Sequence, residues 1–178
     1  MDWNEKYKKV IRPAMQKEFG YKNSNAAPKL VKTVVNVGFG KSSNEAKITE
    51  TVEKVLKAIT GQKPIWTKAK KSISNFKVRE GAVIGAKVTL RGKRMCDFLE
   101  KLVSITLPRV RDFRGLSLKS FDAQGNLSIG FGEFIAFPEI SSEDTDKLFG
   151  LELVIITNAK TKKEAVELFK LFGFPLQK

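Results

Sequence analysis

Ala82-Val83-Ile84-Gly85-Ala86-Lys87-Val88-Thr89-Leu90-Arg91 is the most regular stretch of the chain. Ile84, Ala86, Val88 and Leu90 fall on alternate positions, with Lys87, Thr89 and Arg91 between them. Successive side chains of a strand point to opposite faces, so a period of two predicts a β-strand. One face is expected to pack on a core. The other offers hydrogen-bond donors and positive charge.

Working outward, 68–81 is polar, basic and poorly periodic, and reads as a long loop or exposed hairpin. Ile65 to Thr67 is a short strand candidate before it. Ser42 to Gly61 reads as a helix, with a Ser42/Glu45 capping box, an apolar stripe of Ile48, Val52, Val55, Leu56 and Ile59, and Gly61 as the stop. Leu30 to Val37 is a β-branched strand. Residues 3–19 carry apolar groups at helical spacing, with Pro13 expected to kink the helix or mark a restart.

Downstream, 93–107 is a helix with Pro108 as its breaker, and 109–115 is a basic loop. Leu127, Ile129, Phe131, Glu133, Ile135 and Phe137 alternate as a strand ending at Pro138. Leu151 to Thr157 is nearly all apolar and reads as a central strand. Thr161 and Glu164 cap a last helix closed by Gly173. This order predicts an α+β fold, a mainly antiparallel β-sheet with helices packed on one face. The other face is left free, and a long basic loop protrudes at about 68–81. No repeat or linker divides the chain, so 1–178 is expected to form a single domain.

Composition narrows the function. The chain has 178 residues, with 33 Lys and Arg against 19 Asp and Glu, a formal net charge of +14. It has no His and one Cys. That excludes His-dependent triads, His metal ligands, an intramolecular disulfide and a Cys-based zinc site. Cys96 reads as a small core or boundary residue in a reducing, cytoplasmic compartment. No secretory signal or membrane span is expected. The positive excess is concentrated: residues 63–94 hold ten Lys and Arg against Glu80 alone. A local excess of that size, interleaved with Trp66 and Phe76, points to a phosphate-tracking surface rather than to scattered solvation. Trp66 and Phe76 themselves are expected to pack locally rather than to stack on bases.

Gly38-Phe39-Gly40-Lys41-Ser42, after a strand and before a helix, looks like a phosphate cradle. A Walker A loop needs glycine where Val35 stands, and the dinucleotide fingerprint needs it where Ser43 stands. The glycines are therefore expected to serve a strand-to-helix turn. The carboxylates of Glu139, Glu143, Asp144 and Asp146 lack calcium-loop spacing. Neither a catalytic constellation nor a metal or cofactor site is expected.

Several blocks carry a resemblance. Pro64-Ile65-Trp66-Thr67-Lys68-Ala69-Lys70-Lys71-Ser72, Phe76-Lys77-Val78-Arg79-Glu80-Gly81 and Gly85-Ala86-Lys87-Val88-Thr89-Leu90-Arg91-Gly92 lie in order. Leu107-Pro108-Arg109-Val110-Arg111-Asp112-Phe113-Arg114-Gly115-Leu116, Phe137-Pro138-Glu139-Ile140 and Thr157-Asn158-Ala159-Lys160-Thr161 follow. Together they closely resemble the bacterial large-subunit ribosomal proteins of the 5S-rRNA-binding family, number five of the large-subunit series. The match runs from about Tyr7 to Pro175.

The resemblance implies a structural, non-enzymatic protein of the central protuberance, monomeric when free and without a membrane role. Its implied partners are 5S rRNA, 23S rRNA, P-site tRNA, neighbouring large-subunit proteins and a small-subunit head protein. It implies rRNA contacts at Lys32, Asn36, Gln62, Lys63, Lys87, Thr89 and Arg91. It implies a tRNA-contacting loop with Lys70, Lys71, Ser72, Lys77 and Arg79. Arg109, Arg111 and Arg114 would meet rRNA or the small-subunit partner. Taken one at a time, Asn36, Gln62 and Thr89 have plainer readings as a strand end, a turn residue and an ordinary strand residue. Their shared polar face is what sets them apart.

Overall fold

The computed structural model describes residues 3–40, 46–76, 78–140 and 149–177. Among these described residues, five strands form one antiparallel sheet: β1 (Leu30–Gly38), β2 (Ile65–Lys68), β3 (Val83–Leu90), β4 (Leu127–Phe131) and β5 (Leu151–Thr157), in the order β2-β3-β1-β5-β4. The helical runs that accompany them are α1 over 3–19, α2 (Ala46–Thr60), α3 over 92–109 and α4 (Lys162–Phe172). The class is α+β, as expected. Contact density divides the chain into two compact units, one of 1–33, 90–129 and 154–178, the other of 34–89 and 130–153.

In the second unit the alternation of the sequence becomes two faces. Val35 and Val37 on β1 and Ala86 and Val88 on β3 are buried, as are Ile48, Val52, Val55, Leu56 and Ile59 of α2. These residues form the core side. β2 pairs antiparallel with β3, Trp66 opposite Ala86 and Thr67 opposite Gly85, with a register shift between Thr67 and Lys68. Trp66 meets Phe39 edge-on at 6.3 Å, the local packing expected of it. Beyond β1, the Phe39 N–H donates to the Ile84 carbonyl at 3.0 Å and prolongs the pairing.

Gly85 permits this seam. A Cβ there would lie 2.6 Å from the Val37 carbonyl oxygen and 2.8 Å from Thr67 Oγ1. The carbonyl is backbone and cannot swing away. Gly85→Ala is therefore expected to cost about 1–3 kcal/mol of stability, measured by urea unfolding. An unchanged midpoint would mean that the strands part without cost. Gly38 and Gly40 are different. Neither has a left-handed φ, a Cβ at Gly38 meets nothing within 4 Å, and one at Gly40 reaches Ile84 only at 3.8 Å. At these two positions the backbone does not demand glycine, contrary to expectation; Lys41, Ser42 and Glu45 lie outside the described residues.

The expected strand over 127–137 is shorter. It ends at Phe131, and Phe134–Ala136 is a 3-10 turn. Phe131, Phe134 and Phe137 recur at intervals of three, the period of a 3-10 helix, and all three are buried. Ile135, placed in the same alternating series, is exposed. β5 is an inner strand as its apolarity implies, but β1 is the middle one.

The first unit is built on α1, α3 and α4. Trp3 of α1 stacks on Phe172 at 4.8 Å, and Lys6 Nζ donates to the Phe172 carbonyl at 3.1 Å. A lysine thus satisfies an end carbonyl of α4 where the helix dipole is negative. The Tyr7 hydroxyl donates to the Pro28 carbonyl at 3.1 Å and pins the chain just before β1. Burial pushes this phenol's pKa up, against the Arg12 charge. Cys96 is buried in α3 with Sγ 3.6 Å from Asn4 Oδ1, the core role expected.

Both prolines expected to interrupt helices are accommodated by one device. α1 contains a π-helical turn at Tyr7–Ile11 just ahead of Arg12-Pro13, and α3 contains one at Leu102–Thr106 just ahead of Leu107-Pro108. The Arg12 and Leu107 N–H groups donate back five residues, to Tyr7 and Leu102. Proline lacks an N–H, and the wider turn before it lets the helical path continue. α3 accordingly runs to Arg109.

α4 begins as the sequence indicates. Thr161 Oγ1 accepts from the Glu164 N–H at 3.3 Å, and Glu164 Oε2 accepts from the Lys160 N–H at 2.9 Å. Gly173 closes it at φ 96°.

Candidate nucleic-acid interface

Three groups of residues make up the candidate interface. The first lies on the strand sides opposite the core. Asn36 stands between fully buried Val35 and Val37, yet is itself half-exposed, as is Lys32 four residues earlier on the same face of β1. Four strand residues span about 13 Å. On β3, Lys87 is exposed and Thr89 half-exposed, between Ala86, Val88 and Leu90, which are all buried. Arg91 follows in extended conformation and is exposed. Among the described residues, no hydrogen bond or ion pair engages the side chains of Lys32, Asn36, Lys87, Thr89 or Arg91.

Gln62 is placed by the end of α2. Gly61 takes φ 66° and its N–H donates to the Lys57 carbonyl at 2.8 Å, ending the helix by a left-handed cap. Thr60 Oγ1 donates to the Leu56 carbonyl at 2.6 Å and accepts from the Gln62 N–H at 3.3 Å. The Gln62 amide then reaches the Thr89 carbonyl at 3.5 Å. That long contact orients the amide and leaves its oxygen and second N–H to a ligand. Lys63 Nζ lies 3.4 Å from Glu53 Oε1, with both side chains exposed. Such surface pairs are worth at most ~1 kcal/mol, so Lys63 can exchange Glu53 for a phosphate.

The second group is the 68–81 segment, which is a hairpin continuing β2 and β3. Ala69 N–H donates to the Ala82 carbonyl at 2.8 Å and Gly81 N–H to the Ala69 carbonyl at 3.0 Å. Ile73 and Val78 exchange bonds of 2.9 and 3.2 Å around a 3-10 turn, Ser74–Phe76. Ser72 Oγ accepts from the Glu80 N–H at 2.9 Å, so this hydroxyl braces the hairpin. Lys70, Lys71 and Arg79 are exposed; Lys77 lies outside the described residues. Phe76, expected to pack locally, is instead 67% exposed, because the Ile73–Val78 pairing carries the turn out beyond the sheet. A hollow of about 850 Å³ opens beside it, lined by Ala69, Ile73, Val78 and Ile84 with Lys70 and Lys71 at the rim.

The third group is the arginine loop. Arg109 ends α3, and Arg111 and Arg114 follow; all are exposed. Asp112 between them has φ 53°, a left-handed conformation that aspartate tolerates. The loop is clamped beyond Gly115: Leu116 N–H donates to the Pro175 carbonyl at 2.7 Å and Gln177 N–H to the Leu116 carbonyl at 2.9 Å.

One feature escaped sequence reading: the exposed Phe76 was signalled only by a lone aromatic in a basic run. Lys93 and Arg94, the last cations of the basic 63–94 stretch, are both exposed in the first turn of α3, which carries no acidic residue. No group of three or more His, Cys, Asp or Glu among the described residues is arranged to hold a metal ion.

Exposed cations beside hydrogen-bonding side chains fit a protein that associates with polyanions. Comparison with known proteins makes that class specific. The family described as Ribosomal protein L5 matches residues 23–79, and the model of the C-terminus of the same ribosomal family matches 83–176. The large ribosomal subunit protein uL5 of Halothermothrix orenii is 54% identical over 171 residues, 96% of this chain and 96% of its own length. Those of Thermosipho melanesiensis and Malacoplasma penetrans are each 53% identical over 174 residues, 98% of this chain and 96% and 93% of theirs. The chain is a ribosomal protein, a structural constituent of the large subunit that associates with ribosomal RNA, and not an enzyme. It belongs to the ribosomal L5 family and works on the cytoplasmic ribosome.

Proposed function

We propose that the chain, residues 1–178 acting as one ribosomal domain, holds 5S rRNA against the large subunit in the central protuberance. The open side of β1 and β3 carries that contact: Asn36, Gln62 and Thr89 address ribose and base edges, and Lys32, Lys63, Lys87 and Arg91 address phosphates. RNA helices present a wide shallow groove of 2′-hydroxyls, read by shape and backbone contacts, which suits a flat polar strand face. The hairpin cations Lys70, Lys71 and Arg79, with Ser72 and Lys77, contact P-site tRNA. Arg109, Arg111 and Arg114 meet 23S rRNA or a small-subunit head protein.

The observation that carries this reading is the exposure of Asn36 and Thr89 between neighbours that are fully buried. These polar groups face away from the core and have no partner among the described residues. The test is a binding titration with 5S rRNA and with an unrelated duplex of equal length. 5S rRNA is expected to bind at least about a hundred-fold more tightly at ~0.15 M salt, since non-specific affinity is almost wholly electrostatic. Equal affinities would sink the 5S assignment.

A further inference from the structure

We propose that the hairpin tip is a stacking platform: Phe76 and the hollow beside it take one unpaired base of an RNA loop, while Lys70 and Lys71 hold the flanking phosphates. This rests on the reading that the hairpin meets RNA, and adds which element of the RNA it takes.

Two large apolar side chains stand out within four residues of one another, Phe76 at 67% and Ile73 at 47% exposure. They open onto a cavity of about 850 Å³, inside the ~300–1,000 Å³ range of ligand-sized clefts. Its floor is apolar, from Ala69, Val78 and Ile84, and Asn75 adds an amide able to meet a base edge. Lys70 and Lys71 stand on the rim and are exposed.

An apolar floor with a cationic rim selects the occupant. A nucleotide supplies a flat π-face for Phe76 and an anionic phosphate for the lysines, the combination that single-strand binders use. An apolar peptide would cover the floor and leave the rim charges without anions. A continuous duplex keeps its base faces stacked inside, so the base must be unpaired. The Ile73–Val78 bonds and the Ser72–Glu80 bond brace the tip.

The test compares the full-length chain and its variants for binding to a stem-loop RNA and to the same stem as a closed duplex. Phe76→Ala is expected to weaken stem-loop binding about ten- to a hundred-fold at every salt concentration, with the log–log salt slope unchanged. Duplex binding should change by less than about two-fold. Phe76→Tyr keeps the ring and should bind as the parent does; Phe76→Leu keeps apolar area without the ring and should fall with alanine. Lys70→Ala and Lys71→Ala should each reduce the slope by about 0.7, the single-strand value per phosphate. Circular dichroism should show every variant folded, since these side chains are exposed.

If Phe76→Ala leaves stem-loop binding intact while the lysine variants weaken it, the hairpin meets RNA but stacks no base, and the platform is overturned. If neither change matters, the reading of the hairpin as an RNA contact fails as well. A Phe76→Ala effect confined to self-association in sedimentation, or to binding of anionic vesicles, would assign the hollow to a second copy or a lipid surface and overturn the platform too.

Discussion

Replacing Lys87 and Arg91 together by alanine is expected to lower affinity for 5S rRNA about sixty-fold at ~0.1 M salt and to flatten the salt slope by nearly two units. Each cation that neutralises a phosphate releases a counterion, worth about 0.9 of log–log slope, or roughly eight-fold in affinity at this ionic strength. Both side chains are exposed and neither has an ion-pair partner among the described residues. They project four residues apart from the side of β3 away from its core residues Val88 and Leu90. Fold stability should therefore stay within about 0.5 kcal/mol of the parent. Lys22→Ala, also exposed but not part of this strand or of the proposed contact set, serves as the control and should leave the slope unchanged. A double variant that keeps the parental slope would show that β3 does not face phosphate. The 5S contact would then have to be sought elsewhere on the chain.

Phe169→Ala is expected to cost about 3–5 kcal/mol, a large part of the ~5–15 kcal/mol that holds a typical domain folded. Phe169 is fully buried in α4, edge-on to Phe121 at 5.3 Å and to Phe174 at 4.9 Å. Removing the ring takes away its transfer energy and both edge-to-face contacts, and the cavity left behind is walled by rings that cannot collapse into it easily. Urea unfolding of purified protein reads this directly. A loss under about 1.5 kcal/mol would mean that Phe121 and Phe174 move together and refill the space. Arg109, Arg111 and Arg114 lie in the same compact unit. Ribosome incorporation of this variant should therefore fall with the folded fraction, while surface variants such as Lys87→Ala lose RNA affinity with their fold intact.

Several elements were legible because their signals are local. The alternation of 84–91 became β3 with Ala86, Val88 and Leu90 buried and Lys87 and Arg91 exposed, since strand geometry by itself sends neighbours to opposite faces. The stripe of α2 and the Thr161/Glu164 cap of α4 followed from helical spacing in the same way. The errors arose where two periods compete. From 127 to 137, every second residue suits a strand while Phe131, Phe134 and Phe137 suit a 3-10 turn, and burial of the three rings decides for the turn. Pro108 read as a break from one residue's chemistry, but the five-residue turn ahead of it keeps α3 running, whereas the kink or restart expected at Pro13 is met by the π-helical turn just ahead of it. Phe76 was misjudged because aromaticity alone does not say whether a hairpin leaves a ring inside or out.

The order of residues alone determined that the chain alternates apolar and polar groups on β3, that its positive charge gathers in 63–94, and that no histidine-based chemistry is available to it. Those are properties of neighbours and of composition, and no folding is needed to establish them. Only the tertiary structure decided that Gln62 turns toward the Thr89 carbonyl 27 residues away, that Gly85 lets three strands close up, and that Phe76 stands in solvent above a hollow. Each of those depends on where distant segments meet, and that is set by how the whole chain buries its apolar surface.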